Sequence, residues 1–219
     1  MTTVTTGYVR QNNWIEKLVL NKWFWVFACA FMFGYPVTKS IYRQLPNALP
    51  VYHAVPEFSF MNEEGKPFGL ADLKGKVWLA HFMSVDCSGE CSLSFQQMQL
   101  IQHRIRGVVD RAAIVSISID SASDTPAVLY KKARELNANP VVWRFVTAPQ
   151  ADIRSLIVDG LKVPTEGSAT AQTEAEAVKA HRLALIDQEG NVRGFYVIQK
   201  NEINQLMIDL GLLINRKKS

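Results

Sequence analysis

The run Val77-Trp78-Leu79-Ala80-His81-Phe82-Met83, apolar but for its histidine, passes directly into Ser84-Val85-Asp86-Cys87-Ser88-Gly89-Glu90-Cys91. A short, near-continuous apolar run is the pattern of a strand buried on both faces. From Cys91 onward, Cys91, Phe95, Met98, Ile101 and Ile105 recur at helical spacing and form one apolar stripe. A buried strand followed by a loop and an amphipathic helix requires a sheet covered by helices. It also sets two thiols where a strand ends and a helix begins. There the free N–H groups and the positive end of the helix dipole favour thiolate over thiol. Thiolate is the form that binds a soft metal or exchanges disulfides. A structural disulfide is the plainer alternative, but its loop is so short that chain entropy gives only about 2 kcal/mol. A chain of 219 residues can build a core without that staple.

The remaining elements extend the same pattern. Pro56–Phe68 reads as a strand, a tight turn at Gly65 and a return strand. Ala112–Ile119 is a second apolar strand ending at Asp120, and Thr125-Pro126 is an N-cap and first-turn pair for a helix reaching about Leu136. Val142–Val146 is a third strand and Ile153–Ile157 a short helix. Lys162–Ala180 is long and poor in apolar residues, as functional or mobile loops are. It ends at His181, which opens the strand Leu183–Ile186. A turn over 187–191 leads to Arg193–Ile198, and a closing helix carries Ile203, Leu206, Met207, Leu210 and Leu213 inward. Strands alternating with helices, finished by a hairpin and a helix, predict an α/β fold of the thioredoxin-like sandwich type. Ligand chemistry in such sheets gathers at the C-terminal strand ends, where the cysteine loop and Asp120 fall.

The N-terminal region differs in kind. Trp23–Val37 is an uncharged, mostly apolar run, short for a span of about 20 residues. Leu18-Val19-Leu20 could extend it, with Lys22 snorkelling and Trp23, Trp25 and Tyr35 at the interfaces. The expectation is a single transmembrane helix over 23–38, after a tail over 1–22 and before a linker over 39–55 and a thioredoxin-like domain over 56–215. Cys29 would pack inside the anchor. A cleaved signal peptide fits poorly, since the leading polar segment is long and no small-x-small site follows. Arg10, Lys17 and Lys22 before the run, against Lys39 and Arg43 after it, barely favour an inside N-terminus. No Arg-rich transit pattern opens the chain, which points to a bacterial membrane. The net charge of +4 is modest, its Lys and Arg residues scattered, and nothing indicates a nucleic-acid partner.

Two thiolates at a helix start, with a histidine delivered by a loop, make a three-coordinate soft site that copper(I) accepts. Zinc normally takes a fourth ligand, for which Asp86, Glu90 and Asp120 are available. Here the sequence resembles the Sco/SenC family of copper chaperones. The resemblance is carried by Phe58-Ser59-Phe60, Gly65-Lys66-Pro67, Leu70–Trp78, the Cys-x-x-x-Cys pair, Ser116–Asp120 with Asp124-Thr125-Pro126, and His181 with Leu185–Asp187, Gly190, Arg193, Gly194 and Tyr196. It runs from about Pro56 to the C-terminus. It implies one copper ion, Cu(I) or Cu(II), held by Cys87, Cys91 and His181, in a membrane-anchored protein facing the periplasm. It implies a metallochaperone rather than an enzyme, serving the binuclear copper site of cytochrome c oxidase subunit II, with a periplasmic copper donor or thiol reductant upstream. The family's prolines after each cysteine and after the aspartate are Ser88, Ser92 and Ser121 here. The ligands are intact, and an extra backbone donor replaces each rigid ring.

Other readings compete. A thiol–disulfide oxidoreductase would use Cys87 as the attacking sulfur and Cys91 as its resolving partner, with no need of His181. A peroxiredoxin-like peroxidase wants proline where Ala80 stands. An assembly factor that keeps only the fold would not need the cysteine pair. Asp120 could tune the thiols from the metal's outer shell or simply close a turn. His81 reads as a core histidine with a hydrogen-bond partner, and His53 and His103 as neither ligands nor catalysts.

Overall fold

The computed structural model describes residues 20–41, 49–86, 90–164 and 182–216. Two units are distinguished, Met1–Ala48 and Leu49–Ser219. In the first, helix α1 spans Lys22–Ile41. No helix among the described residues is long and apolar enough to cross a membrane, so the expected transmembrane helix over 23–38 is overturned. The physical reason is length of apolar surface rather than length of helix. The uncharged run Trp23–Val37 supplies about 22 Å of helix at 1.5 Å per residue, against a hydrocarbon core of about 30 Å. Lys22 opens α1, and Thr38, Lys39 and Ser40 occupy its last turn. Cys29, expected to pack, is exposed. Arg10, Lys17 and Arg43 lie outside the described residues.

The second unit is built on a seven-stranded sheet. Its strands are β1 (Ser59–Asn62), β2 (Pro67–Gly69), β3 (Val77–Met83), β4 (Ala112–Ser118), β5 (Trp143–Thr147), β6 (Arg182–Ile186) and β7 (Val192–Val197), in spatial order β2-β1-β5-β4-β3-β6-β7. The central strands β3, β4 and β5 are parallel, and the β1–β2 and β6–β7 hairpins flank them antiparallel. Every residue of β3 and β4 is buried, as expected of parallel strands covered on both faces.

Alternation along β3 divides the core in two. Val77, Leu79 and Met83 pack with α2 (Glu90–Ile105), α3 (Pro126–Glu135) and α5 (Lys200–Asn215) through Phe95, Met98, Ile101, Leu129, Leu206 and Leu210. Trp78, Ala80 and Phe82 pack with Phe60, Leu73, Ile153, Leu156 and Ile157. Thr125 is the N-cap of α3 and Pro126 its first residue. The short helix near residue 155 is longer than expected: α4 (Gln150–Arg154) continues as a π-helix, Ser155–Leu161. That helix closes on Lys162, whose backbone is left-handed at φ 50° and whose N–H donates to the Ile157 carbonyl.

The residues ahead of β1 also belong to this unit. Tyr52 and Val55 donate backbone N–H bonds to Val192 and Gly190, and Val192 donates to His53. Arg193 reaches back to the Pro50 carbonyl at 2.8 Å and to the Leu49 carbonyl. A segment with proline and no apolar period is thus added to the edge of the β6–β7 hairpin.

Candidate metal centre

The site is framed by the ends of β3, β4 and β6 and by the start of α2. The parallel register pairs Met83 with Ser118, so both chains leave the sheet side by side. Ile119 N–H donates to the Met83 carbonyl at 2.9 Å and continues the pairing one step beyond the strands. Strand β6 runs antiparallel to β3 with His81 opposite Leu183. Its first residue, Arg182, therefore lies at the end of the sheet where β3 finishes. Cys91 is the second residue of α2, and its side chain lies outside the described residues, as do Cys87 and His181. Among the described residues, no group of three or more His, Cys, Asp or Glu side chains is arranged to hold a metal ion.

Asp120 is half-buried just beyond β4. Its N–H donates to Ser118 Oγ at 3.1 Å, and its Oδ1 accepts from Ser123 N–H at 3.2 Å. That is the side-chain turn geometry favoured by aspartate. Asp124, four residues on, is the acidic group that sequence reasoning missed. It is 1% exposed. Its Oδ2 accepts from Ser118 Oγ at 2.5 Å and from Val85 N–H at 3.1 Å, with Val85 N–H also 3.4 Å from Oδ1. Burial raises the Asp124 carboxyl above the ordinary carboxylate range; the Ser118 and Val85 hydrogen bonds oppose that shift, and the charges of Asp120 and Asp86 add to it. The available signal was its position, directly before the Thr125 cap and within one turn of Asp120.

His81 is wholly buried, and both ring nitrogens have partners: Nδ1 with Ser116 Oγ at 3.0 Å and Nε2 with Ser94 Oγ at 3.1 Å. Trp143 Nε1 donates to the same Ser116 oxygen at 2.8 Å. A polar line thus crosses β5, β4 and β3 and ends on α2, three residues after Cys91. This is the core histidine expected from sequence. His53 donates through Nε2 to the Leu161 carbonyl at 3.1 Å, and His103 is exposed on α2.

A family model described as SCO1/SenC matches residues 47–211. The chain belongs to the SCO1/SenC family. Among solved structures, a SCO1/SenC family lipoprotein from Bacillus anthracis str. Ames is 28% identical, with 78% of this chain and 98% of that one covered and a TM-score of 0.62. BsSco, a Sco-family cytochrome c oxidase assembly protein with a disulfide switch, is 26% identical, with 77% and 97% covered and a TM-score of 0.63. ScoI of Bradyrhizobium japonicum, solved with copper bound, shares the fold at 20% identity, covering 73% and 99%, with a TM-score of 0.56. The thioredoxin-like α/β architecture expected from the strand–helix order is therefore that of the Sco proteins.

Proposed function

We propose that this chain is a copper metallochaperone in which Cys87, Cys91 and His181 hold one copper ion. Copper is its cargo, and the binuclear copper site of cytochrome c oxidase subunit II is the acceptor. The observation that carries this reading is the convergence of three chain segments at one end of the sheet. Chain exits from β3 toward Cys87, Cys91 begins α2, and β6 starts one residue after His181. Family membership supports it, as do the copper bound by the Bradyrhizobium protein and the assembly role of the family to which BsSco belongs.

Two thiolates and an imidazole are a donor set suited to copper(I). The start of α2 favours the thiolate form. Transfer then proceeds by ligand exchange, with acceptor thiolates displacing Cys87, Cys91 and His181 one at a time. The same pair supports a redox gate, a reading favoured by the disulfide switch of BsSco. The Cys87 thiolate attacks a partner disulfide and releases one partner thiolate. Cys91, losing its proton, then displaces the second, leaving a Cys87–Cys91 disulfide and a reduced partner. In that state two of the three donors are lost to the metal. The lipoprotein relative supports a membrane-associated setting, which we assign to the periplasmic face of the bacterial cytoplasmic membrane.

Competition of the reduced protein with a copper(I) chelator tests the assignment. The expected result is one copper per chain, with binding lost in Cys87→Ser and Cys91→Ser and weakened in His181→Ala. Disulfide exchange that proceeds in wild type and His181→Ala alike, with no copper retained by either, would replace the chaperone by a metal-free thiol–disulfide oxidoreductase.

A further inference from the structure

The loop between β3 and α2 is held by a carboxylate that belongs to neither element. Val85 stands two residues before Cys87, and its N–H points at Asp124, which sits ahead of α3 on the other side of the β3–β4 boundary. Asp124 is itself fixed three ways. Its N–H donates to the Asp120 carbonyl at 2.8 Å, Ser118 Oγ donates to Oδ2, and the next residue, Thr125, starts α3 with its carbonyl accepting from Leu129 N–H at 2.9 Å. Ser118 Oγ in turn accepts from Asp120 N–H. The result is a polar knot at the C-terminal ends of two parallel strands, tied to the chain leaving β3 at Val85.

We infer that Asp124 is a positioning residue for Cys87: its buried carboxylate, by accepting the Val85 N–H, holds the chain two residues ahead of the first cysteine. The inference rests on the copper reading of the Cys87–Cys91 pair. A charge-assisted hydrogen bond is stronger than a neutral one, and outer-shell groups hydrogen-bonded directly to metal ligands alter affinity by about 10- to 100-fold, which sets the upper scale for a contact two residues from Cys87. Asp124 is buried and Val85 half-buried, so removal of the carboxylate leaves Val85 N–H without its protein partner and the chain there free to find another course.

The geometry also separates position from charge. In Asp124→Asn an amide oxygen in the Oδ2 place still accepts from both Val85 N–H and Ser118 Oγ. Asp124→Ala removes both. Tyr196→Phe, which removes a buried bond from β7 to Asp209 on α5, serves as a control that lowers stability without touching the Val85–Asp124 contact.

The test uses the reduced full-length chain and three readouts on wild type and these variants: copper(I) affinity by chelator competition, the reduction potential of the Cys87–Cys91 pair, and exchange of the Val85 amide by NMR. Asp124→Ala is expected to weaken copper(I) by at most about 10- to 100-fold, to make the disulfide easier to reduce and to expose the Val85 amide. Asp124→Asn should stay near wild type in all three, and Tyr196→Phe should leave copper and potential unchanged. If Asp124→Ala does not fold, a wild-type-like Asp124→Asn together with slow Val85 exchange upholds the positioning role, and fast Val85 exchange in wild type overturns it. Wild-type copper affinity and potential in folded Asp124→Ala would overturn it. So would an Asp124→Asn loss as large as that of Asp124→Ala, or equal losses in Tyr196→Phe. Wild type that binds no copper would defeat the chaperone reading alone, and the potentials would then decide the positioning role.

Discussion

Arg193 and Asp187 form a buried ion pair at the turn of the β6–β7 hairpin, and the substitution Arg193→Met should expose how much of the second unit depends on it. The side chains are 3% and 4% exposed, with Nη1 2.8 Å from Asp187 Oδ2. Arg193 Nε donates to the Pro50 carbonyl, and Nη2 to that of Leu49. Asp187 Oδ1 accepts from Glu189 and Asn191 N–H at 3.0 and 2.8 Å and thereby shapes the turn. Methionine keeps the length but leaves a buried carboxylate without its cation and two carbonyls without their donor. Removing one member of such a pair costs about 3–5 kcal/mol. Arg193→Met/Asp187→Asn should recover most of the loss, because no charge is then stranded. The pH dependence carries a second signature. Burial pushes the Asp187 carboxyl up, but the Arg193 hydrogen bond, the Asn191 and Glu189 N–H groups and the Arg193 charge outweigh it, and the net shift is downward. A depressed carboxyl contributes stability that is complete above about pH 3.9 and is lost as pH falls through its folded-state value. The gap between wild type and Arg193→Met should therefore narrow below about pH 4. Urea unfolding of the full chain across this range measures both effects. A loss within about 1 kcal/mol, the scale of an exposed pair, would refute the reasoning.

Three further outcomes follow from the packing. Gly69→Ala would bring a Cβ to 2.1 Å from the Phe58 carbonyl oxygen, and calorimetry should show a loss of about 1–3 kcal/mol. His81→Phe removes the partner between Ser116 and Ser94 and should cost about 1–3 kcal/mol in urea unfolding, with part recovered when Ser94→Ala is added. Tyr196→Phe removes the phenol that donates to Asp209 Oδ2, while the Gln205 amide still donates to Oδ1 at 2.9 Å, and should cost about 1–3 kcal/mol, read from the thermal midpoint.

Strands that are buried on both faces were the most legible part of the chain. Val77–Met83 read directly from the sequence, and Ala112–Ile119 did so to within one residue of the observed Ala112–Ser118, because apolar runs of that length, followed by turn residues, have few other homes. The α2 stripe was equally plain, since Phe95, Met98, Ile101 and Ile105 all reach the core. Thr125-Pro126 marked the start of α3 through local chemistry alone. The misreadings share a cause, namely that the deciding factor is not local. Trp23–Val37 is apolar in composition, but spanning needs a sustained length that Lys22 and Lys39 deny it. The residues around Pro50–Ala54 have no period because their partners lie more than a hundred positions away in the β6–β7 hairpin. Asp124 was visible as a residue but not as a constraint, for its partner is the backbone of Val85, and a backbone N–H leaves no mark in sequence. Asp120, weighed equally as a turn residue and as a tuning group, does close a turn through Ser123.

X-ray absorption on the reduced full chain loaded with one equivalent of copper(I) counts the donors at the metal. Two sulfur neighbours and one nitrogen neighbour are expected, with the nitrogen absent in His181→Ala. A wild-type site with the same neighbours as His181→Ala, or one lacking sulfur, would contradict the assignment of Cys87, Cys91 and His181 as ligands.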